Sequence, residues 1–313
     1  MDDWPARILV GTDGSEEAAL ALRAAADICE KTGAELHVVH AWRAPGPASS
    51  TGRPLSSAYE QEARDLLTAQ VKQLEAADIT VAETHFRRGP PVDEILDLSE
   101  ELGASLIVAG RRGLSPLKSF MMGSVSEGLV HHASRPVLIV SGGERAWPPR
   151  SIVIGEDLSE EAREAAELAA TLGKLFDADA RLVMAVSKLP GVPQDARPRP
   201  GKPTVGEALH RAEQFLEYLS GELAEELGRR PQTEVVEGDA ATVIVEAAER
   251  GEEPVLIAVG SRNLGMIKRL ILRSVSSDVL RAVSGPVLVY RRLADPRTAP
   301  ESARRAPNQP RAR

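Results

Sequence analysis

The sequence predicts an α/β protein built twice over, and three observations carry the prediction. Short apolar runs alternate with amphipathic stretches at helical spacing, the pattern of a parallel sheet flanked by helices. The pattern pauses after residue 141 and restarts at residue 151 with matching segments in the same order, so the chain reads as an internal duplication. Between two apolar runs of the first half lies a Gly-x2-Gly-x9-Gly-Ser string: Gly110, Gly113, Gly123 and Ser124.

Residues 7–11 (RILVG) form an apolar strand that ends in Gly11-Thr12-Asp13-Gly14-Ser15. Ser15 is a helix cap with Glu16 and Glu17 in the first turn, so a helix is expected over 18–31, ended by Gly33. Residues 35–41 (ELHVVHA) are the second strand, and the Pro-, Gly- and Ser-rich 43–56 are a loop. A long amphipathic helix is expected over 57–77, an alternating strand over 80–86 and a helix over 91–102 with Pro near its start. The apolar strand 106–109, the glycine loop, a helix from Ser124 and a strand at 136–140 complete five strands and four helices.

Residues 142–150 (GGERAWPPR) read as a linker. The run 151–159 then repeats 7–15, with Asp157 on Asp13 and Ser159 on Ser15. Strand 180–187, Pro-rich 188–204, long helix 205–227, strand 233–237 and apolar run 255–260 follow in order, and 285–289 repeats 135–139. The expected domains are 1–142 and 151–291, joined by linker 143–150, with a disordered Pro-, Ala- and Arg-rich tail over 292–313.

A length of 313 residues accommodates two domains of ordinary size. Only 3% of residues are aromatic against 42% apolar, so the core is aliphatic and Ala-rich. A net charge of −8 argues against bulk attraction to nucleic acid or to an anionic membrane. Cys29 is the one cysteine, which excludes an intrachain disulfide, and its setting among Ala25, Ala26 and Ile28 makes it a small core residue. No basic-then-apolar segment opens the chain and no apolar run approaches membrane-spanning length, so a cytoplasmic protein is expected.

The glycine string has the chemistry of a phosphate cradle. Glycines let backbone N–H groups face an anion without a Cβ in the way. The helix starting at Ser124 points its unpaired N–H groups and positive dipole end at the same place, with Arg111, Arg112 and Lys118 nearby. The spacing is that of neither a Walker loop nor the GxGxxG turn. It resembles the nucleotide-binding signature of the universal stress protein family, in its ATP-binding branch, and each half of the chain is similar to one domain of that family.

The resemblance implies two tandem Rossmann-like domains, each a five-stranded parallel sheet in strand order 3-2-1-4-5 with its switch point between strands 1 and 4. It implies ATP as ligand, with Mg2+ carried by the phosphates. In the first half, Gly11, Thr12 and Asp13 would meet the nucleoside and Ala41 the adenine. Gly110, Arg112 and Gly113 would wrap the phosphates, and Gly123, Ser124, Val125 and Ser126 would bind them at the helix start. A second reading of Asp13 is an acid near a helix start, favoured by the dipole. The family pairs domains through the last strand, so the strands at 136–140, opening with Pro136, and 286–289, opening with Pro286, are expected to pair within one chain as a pseudo-dimer. A homodimer of chains stays open.

In the second half Asn263 stands for Gly113 and Arg273 for Gly123, while Ser274, Val275 and Ser276 persist. Asn tolerates a positive φ, whereas Arg would fit it poorly and fill phosphate space, so weak or no ATP binding is expected there; Arg273 contacting a phosphate is the rival. His131 and His132 diverge by about 100° on a helix and cannot chelate one metal together. His37 and His40 lie on strand 2; His40 could approach the nucleoside but is expected to pack. No Walker lysine, paired nucleophile and base, or two-metal carboxylate cluster is evident, so a nucleotide-dependent regulatory or interaction module with at most slow hydrolysis leads. An adenylyl-transfer or pyrophosphatase enzyme on a related scaffold, and a partner-binding protein without nucleotide, are the alternatives.

Overall fold

The computed structural model describes residues 4–43, 55–113, 122–143, 145–186, 205–261 and 274–291. Lys118, Asn263, Arg273, the Pro-rich 188–204 and the tail from 292 lie outside the described residues.

The first half runs β1 (Arg7–Gly11), α1 (Glu16–Thr32), β2 (Glu35–Trp42), α2 (Leu55–Glu75), β3 (Glu83–Arg88), α3 (Pro91–Glu101), β4 (Leu106–Gly110), α4 (Ser124–His132) and β5 (Val137–Val140). The second repeats it as β6 (Ser151–Glu156), α5 (Glu160–Phe176), β7 (Asp179–Val186), α6 (Val205–Leu227), β8 (Gln232–Glu237), α7 (Ala240–Glu249), β9 (Val255–Gly260), α8 (Val275–Ala282) and β10 (Val287–Tyr290). Each half has the strand order 3-2-1-4-5, all parallel, as expected.

The largest shift from expectation is β3, which begins three residues later than the alternation suggested. Asp78 takes a left-handed φ of 59° just past α2, and Ile79 and Val81 pack on the core as the chain approaches the sheet. Pairing starts only where Glu83 meets His37. Ile79 and Val81 cover the end of the core while Thr80 and Ala82 face solvent, an alternation that mimics a strand in a one-dimensional reading.

The two halves share one ten-stranded sheet, ordered β3-β2-β1-β4-β5-β10-β9-β6-β7-β8. β5 and β10 meet antiparallel at its centre, with Leu138 opposite Leu288 and Val137 opposite Val289. All of β5 and the Val287, Leu288 and Val289 of β10 are buried β-branched and Leu residues, so each strand covers the other's unpaired edge. One apolar layer, including Ile8, Val10, Leu138, Ile154 and Leu288, runs beneath α1, α2, α5 and α6 through both halves. The opposite layer, including Leu9, Ile107, Ile139, Ile257 and Val289, lies beneath α3, α4, α7 and α8.

The stretch between the halves is packed against this core. Ala146 is buried, and the Trp147 ring meets Phe176 edge-on with centroids 5.0 Å apart. Gly142, at φ 102°, lies so close to the Ser284 carbonyl that a side chain there would overlap it. Composition alone marks such a stretch as a tether; its one Trp makes it part of the core.

Candidate functional site

β1 and β4 lie side by side, but the chain leaves them toward opposite directions of the sheet, and their carboxyl ends diverge into a crevice. Two segments about a hundred residues apart meet there. At the end of β1, the Thr12 N–H donates to the Val39 carbonyl at 2.9 Å. His40 lies 8% exposed beneath the turn with Nδ1 2.7 Å from the Thr12 carbonyl oxygen, so Nδ1 is the donor. Packing, as expected, is the role of His40, and it steadies the turn. Ala41, half-buried, stands two residues beyond Val39, the register partner of Gly11.

Asp13 Oδ1 accepts the Ser15 N–H at 3.0 Å, and Asp157 Oδ1 accepts that of Ser159 at 3.1 Å. This local turn is common to both halves. Asp13 also has a crevice-facing part: its Oδ2 lies against Gly113, where a Cβ would overlap it. The Ser15 hydroxyl accepts from the Ala18 N–H at 3.2 Å, capping α1, and donates to the Arg112 carbonyl at 3.3 Å. Glu17 accepts the Arg112 N–H at 2.6 Å, and its other oxygen stands 3.5 Å from the Arg112 guanidinium. Arg112 therefore lies at the crevice but is held by an acid of α1.

Two of these glycine positions also answer to the packing of the fold itself. Gly110 is a packing glycine: a Cβ would come within 2.7 Å of the Glu17 backbone, where α1 crosses the strand end. Gly260 meets Glu161 and Ala162 in the same way, which explains why both halves keep it. Gly123 has φ −68°, a conformation any residue adopts, so a positive φ is not what sets it apart. What a side chain there would meet is the Arg111 carbonyl, at 3.0 Å from the Cβ.

At the start of α4, Ser124 is exposed and Val125 half-buried, and no side chain caps the helix. The N–H groups of Ser124, Val125 and Ser126 begin the helix without intrahelical partners. The Ser126 hydroxyl, however, is spent on the backbone: it is 2% exposed and donates toward the carbonyls of Arg111 at 2.6 Å and Gly123 at 2.9 Å. Its contribution to a ligand is confined to its N–H.

Arg111 turns away from the crevice, contrary to the expectation that it adds charge to it. It is 8% exposed and crosses the seam between the halves, donating to the carbonyls of Val283 and, at 3.1 Å, of Arg281 at the end of α8. A cation at a helix C-terminus satisfies orphan carbonyls and opposes the dipole.

The second crevice differs at its floor. Glu156 stands where Thr12 stands and is 4% exposed. One carboxylate oxygen accepts the N–H groups of Asp157 at 2.9 Å and Leu158 at 2.8 Å, and the other is buried with no hydrogen bond. Burial pushes this carboxyl up to about 7. Leu158, where Gly14 stands, is exposed with φ 66°. Setting the two halves side by side would have marked Glu156, an acid directly after an apolar strand; Arg111 has no such signal.

A cavity of about 360 Å3 lies elsewhere, lined by residues such as Ala146, Val255 and Pro286. Val255 opens β9 and Pro286 precedes β10, so the cavity sits at the amino ends of the strands, the wrong end for the crevice of a doubly wound sheet. Cys29 is half-buried and its thiol is pushed up to about 12 by burial, in keeping with a core residue. Among the described residues no helix is long and apolar enough to cross a membrane.

A doubly wound sheet repeated in tandem, with a crevice at each switch point, defines a two-domain Rossmann-like protein. The family model described as the universal stress protein family matches residues 6–141 and again 149–291, and the chain belongs to that family. It is 28% identical over 299 residues to a universal stress protein of Mycolicibacterium smegmatis, covering 91% of this chain and 96% of that one. The Bacillus subtilis universal stress protein YxiE is 36% identical over 145 residues, 43% of this chain and 97% of its own length, as one domain against a tandem pair requires. The crystal structure of a universal stress protein from Archaeoglobus fulgidus superposes with a TM-score of 0.66 at 24% identity, covering 92% of this chain and 99% of that one, which shows the shared fold.

Proposed function

We propose that the first half binds ATP at the β1–β4 crevice, with Mg2+ entering on the phosphates, and that the protein acts as a nucleotide-dependent regulatory or interaction module. The observation that carries the proposal is the uncapped start of α4. In α1 and α5 a serine side chain caps the helix. α4, like α3 and α8, has no side-chain cap; it begins at Gly123, against the backbone of Arg111 and Arg112, and the residue after Arg112, Gly113, lies against the Asp13 carboxylate. N–H groups left this way suit a phosphate. Asp13 suits a ribose or adenine donor, and Arg112 would exchange Glu17 for a phosphate as the ligand enters.

One site per chain is the expected stoichiometry. In the second crevice the buried Glu156 carboxylate stands where the first offers the Thr12 hydroxyl, and at neutral and higher pH it opposes an anionic ligand. Equilibrium dialysis against ATP with Mg2+, for the wild type and Gly123→Arg, tests this. The φ of Gly123 accepts Arg, so the substitution leaves the helix start in an allowed conformation and crowds the Arg111 carbonyl, 3.0 Å from the new Cβ, as it fills the crevice. One ATP per chain, lost in the variant, is expected. Two per chain would refute the closed second crevice, and no binding by nucleotide-free wild type would refute the ATP proposal.

A further inference from the structure

At the other end of the first half's sheet, β2 and β3 bring His37, Glu83 and His85 together. The parallel register sets His37 beside Glu83 and Val39 beside His85, which puts the three side chains on one face. His37 is 5% exposed. Its Nδ1 lies 3.1 Å from His85 Nε2, and one ligand atom of each residue falls within 4.8 Å of the others. The far nitrogen of His37, Nε2, is buried without a hydrogen bond, and Glu35 Oε2 stands 3.6 Å from it. Glu35 is itself held by Arg7 Nε at 2.8 Å.

We infer that His37, His85 and Glu83 form a binding site for one divalent transition-metal ion of the Zn2+ type, ligated by His37 Nδ1, His85 Nε2 and a Glu83 carboxylate oxygen, with water as fourth ligand. Bonds of about 2.0–2.1 Å in a tetrahedron place neighbouring ligand atoms about 3.3 Å apart. The observed separations of 3.1 Å between the two nitrogens and 3.9 Å from His85 Nε2 to Glu83 Oε2 bracket that edge. Glu83 has a 62% exposed side chain, so it can swing to close the longer side. Ligation through Nδ1 leaves the His37 proton on Nε2, 3.6 Å from the Glu35 carboxylate, which a small shift would bring into the carboxylate–histidine–metal arrangement that orients ligating imidazoles. Two imidazoles and one carboxylate suit Zn2+ better than Mg2+ or Ca2+.

The duplication supplies an independent argument. The register of β7 and β8 puts Arg181 where His37 stands, Gln232 where Glu83 stands and Glu234 where His85 stands. There a guanidinium fills the space between the strands, 3.6 Å from the Glu234 carboxylate and 3.1 Å from the Gln232 oxygen. The second half thus carries its own cation between strands 2 and 3, and the first half offers donor atoms at the same place. A metal ion there would staple the edge strand β3 to β2.

The test uses the full chain without an affinity tag, stripped by chelator and dialysed against Zn2+ in the absence of nucleotide. About one Zn2+ per chain is expected to remain, with a rise in Tm. His85→Gln should abolish both. Glu83→Gln, at an exposed position that does not threaten folding, should weaken binding at least tenfold. Co2+ in place of Zn2+ should give the visible absorption of a tetrahedral site in the wild type only. No retained Zn2+ would overturn the inference and leave a simple histidine–histidine hydrogen bond. Zn2+ uptake that the two variants leave unchanged would overturn it equally, by placing the metal elsewhere.

Discussion

A buried carboxylate with one oxygen unpartnered costs stability whenever it ionises, and Glu156 is such a residue. Its folded pKa of about 7 lies above the unfolded value of 4.5, so the folded state binds the extra proton between them. Stability is therefore greatest below pH 4.5 on this account, falls as pH rises to about 7 and is level above. The loss is on the order of 3 kcal/mol. Glu156→Gln keeps an acceptor for the Asp157 and Leu158 N–H groups and removes the ionisation. Urea denaturation at pH 5 and pH 8 should show the variant gaining on the wild type at the higher pH. Parallel pH dependence of the two proteins would exclude Glu156 as the source. At this scale the sequence was legible where a residue's role is local: the Ser15 and Ser159 caps were evident, because a serine before a helix reports its own geometry.

Between elements, Arg111 links the loop after β4 to the end of α8. It directly precedes Arg112, so the crevice loop and the seam are adjacent in the chain. Arg281 of α8 also reaches back to Glu127 of α4 at 3.0 Å, so the end of α8 is tied both to the loop after β4 and to α4. Arg111→Gln leaves the Val283 and Arg281 carbonyls short of donors at the half-buried seam. The expected destabilisation is about 1–3 kcal/mol, read as a lower urea midpoint with unchanged m-value. An unaltered midpoint would mean the crossing contact contributes nothing net. The helix pattern and the strand order were readable from periodicity and resemblance. The direction of Arg111 was not, because two neighbouring arginines have the same composition and only the third dimension separates a crevice from a seam.

For the whole molecule, β5 and β10 turn two sheets into one, and each half leaves an apolar edge if the other is removed. Residues 1–142 expressed alone would expose the edge of Val137, Leu138, Ile139 and Val140, all buried in the full chain. Size-exclusion chromatography with light scattering should find that fragment self-associated, while the full chain does not use this edge between molecules. A soluble monomeric fragment would show that pairing is dispensable. The expectation of pairing through 136–140 and 286–289 came from the resemblance and agrees with the antiparallel contact. The packed role of Ala146 and Trp147 was hidden, because Pro and Gly around them look like solvent-exposed linker.

Through its family resemblance the sequence implied the five-strand order in each half and the meeting of two motifs at the first crevice; by itself it determined the duplication, the α/β alternation and the cap of α1. These follow from local periodicity, from turn chemistry and from repetition, which survive projection onto one dimension. Only the tertiary structure decided which glycines serve packing, that Arg111 spans the seam, that Glu156 lies buried beneath the second crevice, and that His37 and His85 meet across neighbouring strands. Each of those depends on what stands opposite a side chain from a distant part of the chain. Burial and contact, the terms that set charge state and ligand chemistry, exist only once that neighbour is in place.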